Sequence, residues 1–149
     1  LQSSRVSRLE KQILHTLKPK KMYLIDSWST SYRPEMHERL KETAARFEGK
    51  EQVCIIKDKS TEALTLFKDD FFDYIYLDNA HNYEHVIGEM CLWWRKVKKG
   101  GMMAGHDINE ANPERVLKAV KDFAEEFKVD YFTKQNDGEA VGDWWIWKS

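Results

Sequence analysis

Between Phe71 and Asp107 the chain reads FFDYIYLDNAHNYEHVIGEMCLWWRKVKKGGMMAGHD, and this stretch limits the possible folds most tightly. Tyr74-Ile75-Tyr76-Leu77 is an apolar run of aromatic and β-branched residues, the composition of a buried strand. The run stops at Asp78, and Asn79-Ala80-His81-Asn82-Tyr83 forms a polar turn. Val86, Ile87, Met90, Cys91, Trp94 and Val97 then recur at three- and four-residue spacing, which predicts a helix. Lys96, Lys98 and Lys99 fall in its expected last turn, where cations suit the negative end of the helix dipole, and Gly100-Gly101 is expected to end it. Met102-Met103-Ala104 is a second apolar run, stopping at Gly105-His106-Asp107. In an open parallel sheet ligands bind beyond the carboxyl ends of the strands. Both polar clusters are therefore expected on one edge, where chemistry is done.

The same alternation extends through the rest of the chain. Ser7 and Glu10 have capping-box spacing, and Leu9, Ile13, Leu14 and Leu17 form one apolar face of a first helix over residues 4–17, stopped by Pro19. Met22-Tyr23-Leu24-Ile25 predicts a strand ending at Asp26-Ser27-Trp28. Pro34 suits the first turn of a helix with Met36, Leu40, Ala44 and Phe47 inward and Gly49 at its close. Val53-Cys54-Ile55-Ile56 predicts another strand, and Ser60 the cap of a short helix carrying Ala63, Leu64 and Phe67. After the central block, Asn112-Pro113 reads as the cap and first residue of a helix with Val116, Leu117, Val120, Phe123 and Phe127 on one face. Val129–Phe132 and Trp144–Trp147 read as strands joined by an Asp137-Gly138 turn into an antiparallel hairpin. Strands alternating with helices predict an α/β fold with a mostly parallel sheet covered on both faces.

At 149 residues and 17.7 kDa the chain suits one domain. Lys+Arg 24 against Asp+Glu 25 leaves a net charge of -1, no electrostatic footprint for nucleic acid or an anionic membrane. No apolar run reaches the roughly 20 residues of a membrane helix and no signal peptide is visible, so the cytoplasm is the expected compartment. Cys54 and Cys91 are expected as buried free thiols. A strand with Trp144, Trp145 and Trp147 cannot bury all three on one face. At least one must meet helices on the other side, solvent or a partner chain, which leaves room for a homo-oligomer.

FDYIYLDNAHNYEHV, WW, KKGG and AGHD together resemble the small class I S-adenosylmethionine (SAM)-dependent methyltransferases, whose pattern runs roughly FDxIxIDxxHxYExV, W, KxGG and xGHD. The resemblance extends upstream through LKPKKMYLIDSW and downstream to DWWIWK. It implies a Rossmann-like sheet with a C-terminal antiparallel hairpin. The family's first strand and Gly-rich cofactor loop should fall near Leu1 to Ser7, where LQSSRVS has no glycine. A sheet without that central strand would leave buried ladder groups unpaired, at about 1–3 kcal/mol each. Upstream residues, a closed-up sheet or another chain are the three ways to fill the space, upstream residues being the expectation.

The resemblance also assigns roles. Asp26, at the end of the first visible strand, would accept hydrogen bonds from the ribose of SAM, or be a solvated turn aspartate. Ser27 and Trp28 would line the cofactor site, and Ser60 would reach the adenine or serve only as a cap. Lys59 stands where an acid is common in the family. Asp78 would face cofactor and acceptor. His81 is the best candidate for the general base, since an imidazole titrates near neutral pH, with His106 beside it. Some related O-methyltransferases bind a divalent metal at these strand ends. Asp78 and Asp107, with Asn109, supply oxygen ligands suited to Mg²⁺, although no tight ligand spacing marks the site. His15, His37 and His85 are expected on helices, as surface or packing residues.

Methyl transfer from SAM to an oxygen of a small-molecule acceptor is the function these residues imply. It requires mainly alignment and removal of one proton, so few catalytic groups are needed. Two alternatives stand beside it. One is a SAM-fold module without catalysis, kept for binding or assembly. The other is an enzyme that cleaves SAM.

Overall fold

A computed structural model describes residues 3–31, 33–78, 82–109, 111–135 and 141–149. The chain forms two compact units, Leu1–Ala63 and Leu64–Ser149.

The first unit holds α1 (Ser3–Leu17), β1 (Met22–Asp26), α2 (Met36–Arg46), β2 (Val53–Lys57) and α3 (Ser60–Ala63). β1 and β2 pair in parallel from Met22 opposite Val53 to Asp26 opposite Lys57. Parallel neighbours need a crossover, and α2 supplies it. Several expected helix boundaries move. Ser7 lies inside α1 rather than at its start, and Glu10 meets Arg46 of α2 at 3.4 Å. α2 begins after Glu35, two residues later than Pro34 would start it. Thr43 is buried there and Ala44 is exposed, although both fall at helical spacing between Leu40 and Phe47. Gly49 follows in the left-handed region (φ 72°). Ser60 is the first helical residue of α3 rather than its cap. The carbonyl before it, on Lys59, takes the bonds from Glu62 and Ala63.

The second unit opens with a 3-10 turn (Leu64–Leu66). β3 (Phe72–Leu77), α4 (Tyr83–Trp94), β4 (Val97–Ile108), α5 (Val116–Phe127), β5 (Tyr131–Gln135) and β6 (Gly142–Trp147) follow. Its sheet runs in the order β3-β4-β6-β5, with β3 and β4 parallel and both other pairs antiparallel. The expected α/β architecture with a C-terminal antiparallel hairpin is therefore present, its ladders divided between the two units. Ile75, Met103, Trp144 and Ile146 are buried, and α4 and α5 lie against this sheet. The helices add Met90, Trp93, Trp94, Val120 and Phe123 to the core, with Trp94 edge-on to Phe123 at 5.3 Å. In β6, Trp144 and Ile146 point inward while Trp147 stays 52% exposed, as the two-residue period of a strand requires.

The largest departure lies at the α4–β4 junction. α4 stops at Trp94, and Val97 opens a strand opposite Phe72 instead of closing a helix. Lys98, Lys99 and Gly100-Gly101 belong to that strand, where the register shifts between Phe72 and Tyr74 and Gly100 takes φ 77°. The lysines find acids, not helix carbonyls: Lys96 donates to Asp69 and to the Phe67 carbonyl, and Lys98 to Asp73. α5 likewise starts at Val116, three residues beyond Pro113. β5 starts at Tyr131 because Lys128 ends α5 in the left-handed region and carries Val129 out of the strand. Cys54 is half-buried and Cys91 exposed, both as free thiols, so the expectation of burial fails, most clearly for Cys91. The Asp137-Gly138 turn lies outside the described residues. No described helix is long and apolar enough to cross a membrane.

Candidate functional site

In the second unit the carboxyl ends of β3 and β4 bring three of the expected residues together. Asp78 follows the last residue of β3, and His106 and Asp107 lie near the end of β4. His106 Nε2 stands 3.5 Å from Asp78 Oδ1 and 3.3 Å from Asp107 Oδ2. All three side chains are roughly a quarter exposed, so they are reachable but partly shielded from water.

Alternation along a strand explains only half of this cluster. Asp78 and His106 share a sheet face, since Leu77 pairs with Gly105 and the next residues lie side by side. Asp107 would by the same rule point to the opposite face. Its φ of 66° and the interrupted β4–β6 register between Gly105 and Ile108 let it turn back toward the imidazole. Bulges re-aim side chains in this way.

Tyr76 lies two residues before Asp78 on the same face, its ring nearly parallel to the His106 imidazole at 6.0 Å between centroids. Burial, with the carboxylates of Asp143 and Asp78 beside it, pushes the Tyr76 hydroxyl well above the ordinary phenol range. Tyr74 is pushed up to about 12, by burial first and then by Asp143. From the sequence both tyrosines read only as strand formers. The two-residue period from Asp78 back to Tyr76 and Tyr74 was the signal that places them beside the site.

The start of α4 is tied down beside this cluster. Asn82 accepts from the His85 amide at 3.0 Å, a side-chain cap. Tyr83 donates its hydroxyl to Asp122 of α5 at 2.8 Å, with Lys118 bonded to the same carboxylate at 2.6 Å and 5.0 Å above the tyrosine ring. His81 lies outside the described residues. His15, His37 and His85 are exposed, so they are surface residues.

The first unit holds the remaining candidates. Asp26 closes β1, exposed, with Oδ1 accepting the Trp28 amide at 2.8 Å. Its other carboxylate oxygen has the acceptor chemistry that a ribose hydroxyl requires. Trp28 is buried at 6% exposure and takes φ 41°, an uncommon angle for a tryptophan. Asp58 joins this end by donating its amide to the Asp26 carbonyl at 3.0 Å, and its own carboxylate accepts the Lys59 amide at 2.8 Å. Ser60 starts the adjoining helix, and Ser27 lies between Asp26 and Trp28. As for a metal, the described residues contain no group of three or more His, Cys, Asp and Glu side chains arranged to hold one. Asp78 and Asp107 supply two carboxylates on His106 Nε2, and Mg²⁺ is commonly held by one or two carboxylates with waters at its remaining positions.

Comparison with solved structures gives the same fold at low identity. A putative O-methyltransferase from Klebsiella pneumoniae superposes with a TM-score of 0.61 at 11% identity, covering 97% of this chain and 80% of that one. The O-methyltransferase NovP gives 0.62 at 16% identity, with 95% and 66% covered. Spermidine synthase from Thermotoga maritima gives 0.65 at 13% identity, with 92% and 48% covered. This chain thus spans about half to two thirds of the length of several structures it matches. No curated protein matches it. A family model described as a methyltransferase domain matches residues 6–108, well over half of the chain and inclusive of Asp26, Asp78, His106 and Asp107. The chain therefore belongs to the methyltransferase-domain family, in the Rossmann-like, SAM-dependent class that its motifs resemble.

Proposed function

We propose that the protein transfers the methyl group of SAM to a hydroxyl oxygen of a small molecule, with His106 receiving the hydroxyl proton. The observation that carries this reading is the imidazole set between the carboxylates of Asp78 and Asp107 at the reactive edge of the β3–β4 pair. Two carboxylates beside one ring orient it and offset the positive charge that arrives with the proton. The acceptor oxygen, relieved of that proton, forms its bond to the methyl carbon as the carbon–sulfur bond breaks and its electron pair returns to sulfur. SAM supplies the electrophilic methyl, and the protein supplies alignment and a proton acceptor. His81, between Asp78 and Asn82 in the sequence, is the second proposed base.

Asp26 is the proposed ribose contact, through the carboxylate oxygen not engaged by Trp28. Ser27, Trp28 and Ser60 are proposed to line the cofactor site in the first unit, and Asp78 of the second unit is proposed as a further cofactor contact. The names O-methyltransferase carried by two structural neighbours favour oxygen over nitrogen as the acceptor atom. The net charge of -1 favours a small molecule over nucleic acid.

His106→Ala should lower the rate of methyl transfer about 100- to 10,000-fold, with SAM affinity by calorimetry little changed. His81→Ala under the same assay separates the two candidate bases. A rate unchanged in both variants removes the base assignment. Intact SAM binding without transfer to any acceptor replaces the enzyme with a binding module.

A further inference from the structure

β5 ends the sheet of the second unit, and its sequence is that of a strand ready to take a neighbour. The order β3-β4-β6-β5 gives it one strand partner among the described residues, β6. Every residue of β5 is exposed, and so is Asp130 just before it. Tyr131 and Phe132 are 36% and 45% exposed. Proteins usually blunt such an edge with proline, a bulge or charges, because its backbone groups invite another strand. β5 has no proline and a single lysine. Its register with β6 runs unbroken from Tyr131 opposite Ile146 to Gln135 opposite Gly142.

We infer that β5 pairs antiparallel with β5 of a second copy of this chain, about a two-fold axis through Phe132. The surface lies apart from the methyl-transfer site and is independent of that reading. Charge order selects both partner and register. An axis through Phe132 sets Asp130 against Lys134 of the partner subunit, and symmetry makes the same pair twice. Tyr131 then meets the partner's Thr133, and Phe132 meets its own copy. A shift of the axis to Tyr131 would set Lys134 against the partner's Lys128, like against like. A shift to Thr133 would set Lys134 against the partner's Phe132 and leave the charges uncompensated. A foreign strand would have to carry the complementary order, whereas a second copy brings it by symmetry.

The side chains on the sheet face agree with this register. Trp145 lies opposite Phe132 on β6 and stacks on it, at 5.8 Å between centroids and 14°. Across the axis the row becomes Trp145, Phe132, the partner's Phe132 and the partner's Trp145, two apolar stacks brought side by side. Lys134 lies opposite Asp143 on β6, so the pairing would place an acid on either side of it. Aromatic pairs and opposite charges are the cross-strand combinations that favour neighbouring strands.

The test is the mass of the full chain by sedimentation equilibrium over a concentration series. The wild type should pass from 17.7 kDa to twice that mass. Asp130→Lys and Lys134→Glu should each raise the dissociation constant of the dimer about 10-fold or more, since each replaces two opposite-charge pairs with two like-charge pairs. The double variant should return it close to the wild-type value, because the exchanged charges meet again across the axis. Phe132→Lys, which sets two cations face to face on the axis, should keep the protein monomeric while circular dichroism shows it folded. Amide exchange over residues 131–134 should slow as concentration rises. A wild type that is monomeric at every concentration overturns the inference. A dimer with unchanged exchange over residues 131–134, or one indifferent to Phe132→Lys, places the interface elsewhere and also overturns it. Single variants that weaken the dimer without recovery in the double variant overturn the pairing of Asp130 with Lys134.

Discussion

Asp107 and Tyr74 show how single residues carry the site at some cost to the fold. Asp107 sits at φ 66°, a region that costs a side-chain-bearing residue about 1–2 kcal/mol and that Asp and Asn tolerate better than most. What it gains is a carboxylate 3.3 Å from His106 Nε2. Tyr74 bears a different cost. Burial and the nearby Asp143 push its hydroxyl up to about 12, from an ordinary value of about 10. The folded protein therefore holds the proton more tightly than the unfolded chain does. That contribution is fully present below about pH 10 and is lost as pH rises through about 12. Two units correspond to about 2–3 kcal/mol at most. The expected outcome is a urea midpoint that falls between pH 10 and pH 12, and falls less steeply in Tyr74→Phe. Parallel pH curves for the two proteins would show that the Tyr74 hydroxyl is not the group responsible.

At the scale of elements, Lys148 joins three chain segments. Its Nζ donates to the carbonyls of Trp94 and Val97, at 3.1 and 2.6 Å, and to Asp70 at 3.1 Å, while lying 5.8 Å from the Trp94 ring. It holds the end of α4, the start of β4 and the end of β6 with a side chain only 21% exposed. Lys148→Met keeps the stem and removes the donors. It should cost about 1.5–3 kcal/mol, the range for hydrogen bonds to a charged group, read as a lower urea midpoint. An unchanged midpoint would mean that water satisfies those carbonyls equally well. This junction also marks where the sequence stops being legible. Tyr74–Leu77 and Val53–Lys57 read as strands because β-branched and aromatic runs have few other destinations. The run from Arg95 to Gly101 read as a helix end because Lys and Gly are what helix ends use. Its true partners, Asp69, Asp73 and Lys148, are 25 or more residues away, and local pattern carries no trace of them. The site divides in the same way. Asp78 and His106 were legible as neighbouring strand ends, whereas the turn-back of Asp107 depends on an irregularity in pairing with β6 that no spacing announces.

At the scale of the whole molecule, the two units differ in how their backbones are held. In the first, β1 and β2 are paired only with each other among the described residues. In the second, β4 and β6 each have two ladder partners, and Met103, Trp144 and Ile146 along them are almost fully buried. Two-stranded pairings are marginal on their own, whereas strands inside a larger sheet open only with much of the structure. Amide exchange should therefore be faster over residues 22–26 and 53–57 than over 102–105 and 144–147. SAM turns this contrast into a test of the ribose assignment. A ligand that binds the folded state at 100 times its dissociation constant adds about 2.7 kcal/mol to that state. If Asp26 holds the ribose, saturating SAM should slow exchange over residues 22–28, and Asp26→Ala should remove most of that protection. Protection by SAM that is equal in the wild type and Asp26→Ala would move the ribose to another residue. With no change over residues 22–28 in the wild-type protein, the first unit would lose its assignment as the cofactor-binding end.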